Sequence, residues 1–117
     1  MVGYPAMQSS IDTGYLAIAG EEQAALAPVG FAWMAMEVQA ASPTLWQDDG
    51  SHPTTSGTYL AACVFYATIF GQSPVDLSYH AGLSDGDAAI VQAMAASTVL
   101  ADQPQWHLPL AAASPAA

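Results

Sequence analysis

The chain has 117 residues, which is enough for one domain with one modest hydrophobic core. Hydrophobic residues make up 53% of it and charged residues 9%, and ten acidic residues with no lysine or arginine give a formal net charge of −10. This hydrophobicity excludes a disordered chain. The lack of lysine and arginine excludes nucleic acid as a partner, because those side chains neutralise phosphates. We expect a homo-oligomer, since one small core cannot hide so much apolar surface.

The sequence shows no evident membrane-spanning segment and no evident secretory signal, and it does not indicate a compartment. The longest apolar run, residues 59–70, is shorter than the roughly 20 residues that a membrane-spanning helix needs. A secretory signal begins with positive charge, which is absent here. Cys63 is the single cysteine, so no intramolecular disulfide forms, and its apolar neighbours predict a buried thiol.

The N-terminal third predicts a loose tail followed by an amphipathic helix. Residues 1–10 contain glycine, proline and serine, which is typical of a poorly held terminus. Residues 11–25 carry apolar side chains at helical spacing, at Ile11, Tyr15 and Ile18. We expect this stripe to face the core.

The next segment predicts a short extended stretch and a second helix. Residues 26–30 are interrupted by Pro28, so they form an edge strand or an extended connector. Residues 31–41 have helical character, and their methionines and aromatic residues are expected in the core. Pro43 stops that helix, because the residue before a proline avoids the helical region.

The second half predicts two further helices with clear end signals. A threonine or serine within residues 54–56 caps a helix over 55–70, and Gly71 ends it. Gly57 in its first turn permits close approach of another backbone segment. Ser84 caps a last, alanine-rich helix that ends near residue 100.

A polar loop, WQDDGSHPTTS, precedes the 55–70 helix and concentrates the candidate chemistry. Asp49 stands three residues before His52 on a tight turn, so its carboxylate can accept a hydrogen bond from the imidazole. Such a bond fixes the tautomer and raises the basicity of the other ring nitrogen. The alternatives are an Asx-type turn with a surface histidine, or a weak metal site at Asp48, Asp49 and His52. We expect no metal and no cofactor.

The segment DDGSHPTTSGTYLAACVFYATIFGQSP resembles the C-terminal block of the SGNH (GDSL-like) hydrolases, whose Asp-x-x-His-Pro loop supplies the acid and base of a serine esterase triad. The upstream segment IAGEEQAALAPVGFAWMAM is similar to the last helix, strand and helix of that family. The resemblance implies Asp49 as the acid, His52 as the general base and a small ester as the substrate.

The resemblance also implies an α/β, helix-dominated fold like the C-terminal part of a flavodoxin-like hydrolase. That part has three to four helices and at most one or two short strands. We expect one domain over 1–117, with loose tails at both ends (1–10 and 104–117).

The nucleophile is not assigned, because the family's Gly-Asp-Ser and Gly-x-Asn-Asp blocks are absent. Ser56 is a candidate nucleophile or a helix cap, and Ser51 lies beside the histidine. Ser9 or Ser10 of the N-terminus or of a second subunit is another candidate. Alternatively, His52 deprotonates water directly. The rival hypothesis is a non-catalytic truncated hydrolase remnant that self-associates or binds a protein partner.

Overall fold

Four α-helices and one short 3-10 helix make up the described part of the chain, residues 3–39 and 42–109 of a computed structural model. The helices are α1 (Tyr4–Glu22), α2 (Val29–Gln39), α3 (Thr55–Phe70) and α4 (Asp85–Leu100), and the 3-10 helix is Gln103–Trp106. Within these residues the β-type pairing is limited to an isolated antiparallel bridge between Trp46 and Pro53.

The helix-dominated part of the predicted fold is confirmed, whereas the α/β, flavodoxin-like part is wrong for the described residues. Of the candidate edge strand at 26–30, residues 26–28 form a connector and residues 29 and 30 begin α2. The Leu26 N–H donates to the carbonyl of Trp106 (2.9 Å), and the carbonyl of Pro28 already accepts from Ala32 N–H (3.1 Å). Pro28 has no N–H to donate to a strand ladder, and the chain enters α2 at the next residue, Val29.

Residues 4–10, which were expected to be loose, form the first turns of α1, and residues 1 and 2 of that predicted tail lie outside the described residues. Gly3 precedes the helix with a φ of +85°, and Pro5 occupies the first turn, where a backbone N–H would have no helical partner. Tyr4 and Gln8 of this region are buried. The helix therefore begins at Tyr4 rather than at residue 11.

The C-terminal tail is also ordered further than predicted. Trp106 is 3% exposed, and its Nε1–H donates to the carbonyl of Thr98 (3.0 Å). Its ring packs against Phe31, with the ring centroids 4.7 Å apart. Leu108 is buried as well, so the tail prediction is wrong up to residue 109. The remaining part of that prediction, 110–117, lies outside the described residues.

The bounds of α3 and α4 confirm the predictions because local caps set them. Thr54 is the N-cap of α3, and its Oγ1 accepts from Gly57 N–H (3.1 Å). Gly71 ends α3 in the left-handed region, with a φ of +64°. Ser84 caps α4 through a bond from Asp87 N–H to its Oγ (3.1 Å).

The core lies between α3 and α4, which share the most extensive contact, and α2 packs on both. Its fully buried side chains include Leu60, Val64, Val91 and Val99. The predicted close approach at Gly57 is confirmed. A Cβ atom there would lie 2.5 Å from Cη2 of Trp33 and 2.6 Å from the carbonyl oxygen of Leu45.

The apolar stripe of α1 does not face the core, which corrects the prediction. Ile11, Tyr15 and Ile18 are 41%, 57% and 52% exposed. Among the described helices α1 packs chiefly on α2, and its apolar stripe is left exposed. In the described residues no helix has the length and apolar character needed to cross a membrane.

Candidate functional site

The polar loop before α3 is held closed by hydrogen bonds within residues 46–53. Gln47 N–H donates to the carbonyl of His52 (2.8 Å), and the Gln47 side chain donates to the carbonyl of Pro53 (2.9 Å). Gly50 N–H returns to the carbonyl of Gln47 (2.9 Å), and Gly50 has a φ of +67°. Sequence reasoning missed the role of Gln47. An amide side chain beside a turn can bond backbone groups, but spacing alone does not show which ones.

Asp49 and His52 meet inside this loop. The Oδ1 atom of Asp49 accepts from the backbone N–H groups of Ser51 (2.9 Å) and His52 (3.0 Å). Its Oδ2 atom lies 2.6 Å from Nδ1 of His52. The expected turn-back of the carboxylate onto the imidazole is therefore present. The Asx-type turn, given above as an alternative, is present as well, because Oδ1 of Asp49 accepts from the backbone N–H groups while Oδ2 contacts the imidazole.

The hydrogen bonds determine which groups carry protons. The backbone N–H groups of His52 and Ser51, and then the imidazole, hold the pKa of Asp49 below its ordinary value. An ionised carboxylate only accepts hydrogen bonds, so Nδ1 of His52 is the donor. In the neutral imidazole, Nε2 then carries the free lone pair. The pair thus presents a basic nitrogen away from the carboxylate.

The pair lies at the molecular surface. The side chains of His52 and Asp49 are 71% and 49% exposed. An open hollow of about 530 Å³ adjoins the acidic side of the loop and is lined by Thr44, Trp46, Gln47, Asp48, Asp49 and Thr54. Small molecules can reach this loop without any opening of the protein.

Ser56 does not join the pair in the described residues. It is 7% exposed within the first turn of α3, whereas the His52 ring is mostly in solvent. The suggestion that Ser56 caps the helix is wrong, since Thr54 holds that position and also donates to the carbonyl of Thr44 (2.6 Å).

The other candidate serines lie elsewhere in the structure. Ser9 and Ser10 are exposed residues of α1. Ser51 is exposed next to His52 and gives its backbone N–H to Asp49. No hydrogen bond joins the imidazole of His52 to a serine hydroxyl within residues 3–39 and 42–109.

A metal site at Asp48, Asp49 and His52 has no support from the geometry. In the part of the chain that the structure describes, no group of three His, Cys, Asp or Glu side chains is arranged to hold a metal ion. Both oxygens of Asp49 already accept bonds from the loop.

The two remaining histidines have different surroundings. His80 forms a second histidine–aspartate contact, with Nδ1 3.1 Å from Oδ1 of Asp85, and its Nε2 lies 3.1 Å from the carbonyl of Leu77. His107 lies 3.0 Å from the carbonyl of Ala24 through Nδ1. Because the carbonyl of Leu77 only accepts, Nε2 of His80 is the donor and offers no free lone pair, which distinguishes His80 from His52.

The kinship with SGNH hydrolases stays a prediction. No protein-family model, no curated protein sequence and no solved structure matches the chain. The two residues that carry the resemblance are hydrogen-bonded to each other, but the α/β framework that it implied is not found in the described residues. The chemistry of the loop is thus the firmest indication of a function.

Proposed function

We propose that the chain is a small-ester hydrolase of the SGNH type whose acid–base pair is Asp49 and His52. The observation that carries this proposal is the 2.6 Å contact between Oδ2 of Asp49 and Nδ1 of His52. It leaves Nε2 as a proton acceptor, and the exposed ring is open to a small ester. General-base catalysis by a positioned histidine contributes roughly 10²- to 10⁴-fold to a reaction rate.

The proposed reaction moves one proton through His52. Nε2 takes the proton of a nucleophilic O–H group as its oxygen bonds to the ester carbonyl carbon. The Asp49 carboxylate stabilises the resulting imidazolium. His52 then returns the proton to the leaving alkoxide as the C–O bond breaks. If the nucleophile is water, the acid and the alcohol leave together; if it is a serine, an acyl-serine forms first and a water hydrolyses it.

The experiment measures hydrolysis of p-nitrophenyl butyrate by the wild-type chain and two variants. His52→Ala removes the base and is expected to lower turnover at least about 100-fold. Asp49→Asn keeps the size of the side chain but loses the charge that holds the imidazolium, so turnover also falls. Circular dichroism of each variant checks that the helices remain.

The matched control is His80→Ala, because His80 also contacts an aspartate but its Nε2 donates to the carbonyl of Leu77 and is not free to act as a base. Its turnover should equal that of the wild type. Equal losses in the two alanine variants, or full activity in His52→Ala, would refute the proposal. A fluorophosphonate probe identifies the nucleophile: labelling of one serine indicates a serine, and turnover without labelling indicates water.

A second candidate function, self-association, is favoured by the exposed apolar face of α1. Ile11, Tyr15 and Ile18, together with Phe65 of α3, border an open groove of about 500 Å³. The spacing of the three α1 residues matches a coiled-coil seam. Two copies related by a twofold axis would bury the same stripe against itself. Because each copy carries a charge of −10, screening by salt should strengthen the association.

Light scattering coupled to size exclusion tests this candidate at low and high sodium chloride. We expect dimers that become more populated as salt is added. Ile18→Glu should give monomers at both concentrations. Val38→Glu adds the same charge at a position that is 74% exposed on α2, and should leave the dimer intact. A wild-type monomer throughout would contradict self-association but would not affect the hydrolase proposal.

A further inference from the structure

The groove along α1 combines exposed apolar side chains with carboxylates. Ile11, Tyr15 and Ile18 line it from α1, and Phe65, which is 49% exposed, lines it from α3. The groove has a volume of about 500 Å³. An exposed apolar patch that is bordered by polar groups typically marks a surface for a partner. Because the stripe follows the axis of α1 for about two turns, a helix of the partner can lie along it.

Two carboxylates that line this groove have no cationic partner. Oδ1 of Asp12 accepts from Nε2 of Gln8 (2.7 Å), whereas Oδ2 of Asp12 makes no hydrogen bond in the described residues. Glu22 is exposed at the last residue of α1. Neither acid takes part in an ion pair within the part of the chain that the structure describes. The sequence has no lysine or arginine, so a lysine or arginine that pairs with either carboxylate has to come from another molecule.

Charge separates the possible occupants of the groove. A second copy of the chain, considered above, brings the same carboxylates and a net charge of −10, so its approach is opposed unless salt screens the charges. A helix with lysine or arginine beside its apolar face offers comparable apolar surface without that repulsion. Complementary charge also speeds the encounter with such a partner and fixes its orientation. The groove therefore matches a cationic helix better than it matches a second copy.

We propose that the groove is a docking site for a cationic amphipathic helix of a partner protein. The apolar face of that helix packs on the stripe of α1 and on Phe65, and its lysine or arginine side chains pair with Asp12 and Glu22. Because the helix covers the same stripe as a second copy, its binding competes with self-association. The groove does not include Asp49 or His52, so the proposal does not depend on the hydrolase activity.

The test measures binding of three fluorescent peptides to the wild-type chain by fluorescence anisotropy. Each peptide has roughly 15 residues, which form about four helical turns. The first has leucines at helical spacing and lysines elsewhere, and the second has glutamate in place of lysine. The third has the leucines and lysines of the first in an order that gives no apolar face. We expect the first peptide to bind at least about 10-fold more tightly than the other two, with a Kd that rises as sodium chloride is added.

Paired variants locate the lysine peptide on the surface. Glu22→Gln should raise its Kd about 2- to 5-fold, the loss expected for one exposed ion pair. Glu21→Gln removes the same charge from an exposed neighbour that does not line the groove, and should have a smaller effect. Ile18→Ser should raise the Kd about 5- to 10-fold through lost apolar contact. Val38→Ser, at a 74% exposed position on α2 outside the groove, should leave it unchanged. Circular dichroism checks that each variant keeps its helices.

Three results would overturn the proposal. The first is that the lysine peptide binds no more tightly than the glutamate peptide or the peptide without an apolar face. The second is equal effects within either pair of variants, which would show that the net charge attracts the peptide without a defined site. The third is that dimers of the chain persist in saturating lysine peptide, which would show that a second copy holds the groove. The comparison of peptides on the wild-type chain needs no variant to fold.

Discussion

Substitution of Gly57 tests the close approach of α3 to the backbone of Leu45 and the ring of Trp33. A Cβ atom at this position would be 2.5 Å from Cη2 of Trp33 and 2.6 Å from the carbonyl oxygen of Leu45. That carbonyl also accepts the N–H of Thr54 (2.9 Å), so displacing it disturbs the cap of α3. Overpacking of this kind costs about 1–3 kcal/mol, whereas alanine favours a helix over glycine by about 1 kcal/mol. Because a backbone oxygen has to move, the cost lies in the upper part of this range, at about 2–3 kcal/mol, and we expect Gly57→Ala to lower the free energy of unfolding by about 1–2 kcal/mol.

Gly14→Ala is the matched control, because Gly14 also lies within a helix but a Cβ atom there would meet nothing within 4 Å. This variant should be more stable than the wild type by about 0.5–1 kcal/mol. Urea unfolding followed by circular dichroism measures both changes, and the Tm of Gly57→Ala should fall by roughly 5–10 °C. If Gly57→Ala unfolds at the same or a higher urea concentration than the wild type, the packing at Trp33 and Leu45 is not as described.

Three further predictions concern single side chains. Tyr59→Phe leaves the carbonyl of Tyr79 without its hydroxyl donor, so urea unfolding should show a loss of about 1–3 kcal/mol. Hydrogen bonds lower the pKa of Asp49 in the folded chain, so they stabilise the fold above about pH 4, and this contribution disappears as the pH falls further. The difference in Tm between the wild type and Asp49→Asn should therefore vanish on acidification. Burial raises the pKa of the Cys63 thiol, so an aromatic disulfide reagent should react far more slowly with the folded chain than with the chain in urea.

Features set by neighbouring residues could be predicted from the sequence. The bounds of α3 follow from a threonine cap and a terminal glycine, Thr54 and Gly71, that lie next to the helix they end. The contact between Asp49 and His52 closes within a few residues of one turn. In both cases the partner groups are close in sequence, so the backbone conformation of a short segment decides the contact. At the start of α3, the choice of Thr54 over its neighbours as the cap needed the structure.

Features set by packing between distant segments could not be predicted. The stripe of Ile11, Tyr15 and Ile18 shows where an apolar face lies, but not whether another element covers it. Likewise, nothing in the sequence brings Trp33 and Trp46 together, since their contact depends on how α2 meets the loop before α3. The early start of α1 had a local signal in Pro5, because proline is favoured in the first turn of a helix.

The geometry of the Asp49–His52 pair does not depend on the fold around it. Its hydrogen bonds and the bridge between Trp46 and Pro53 close within one loop, so an all-helical framework neither supports nor opposes the proposed chemistry. What the framework does determine is solvent access, and the His52 side chain is 71% exposed. Hydrogen bonds to a developing oxyanion are strongest where water is excluded. The exposed pair by itself should therefore accelerate ester hydrolysis by no more than the roughly 10⁴-fold that a positioned base provides. A larger enhancement would show that further groups, a serine nucleophile and oxyanion donors, come together with His52 when the substrate binds.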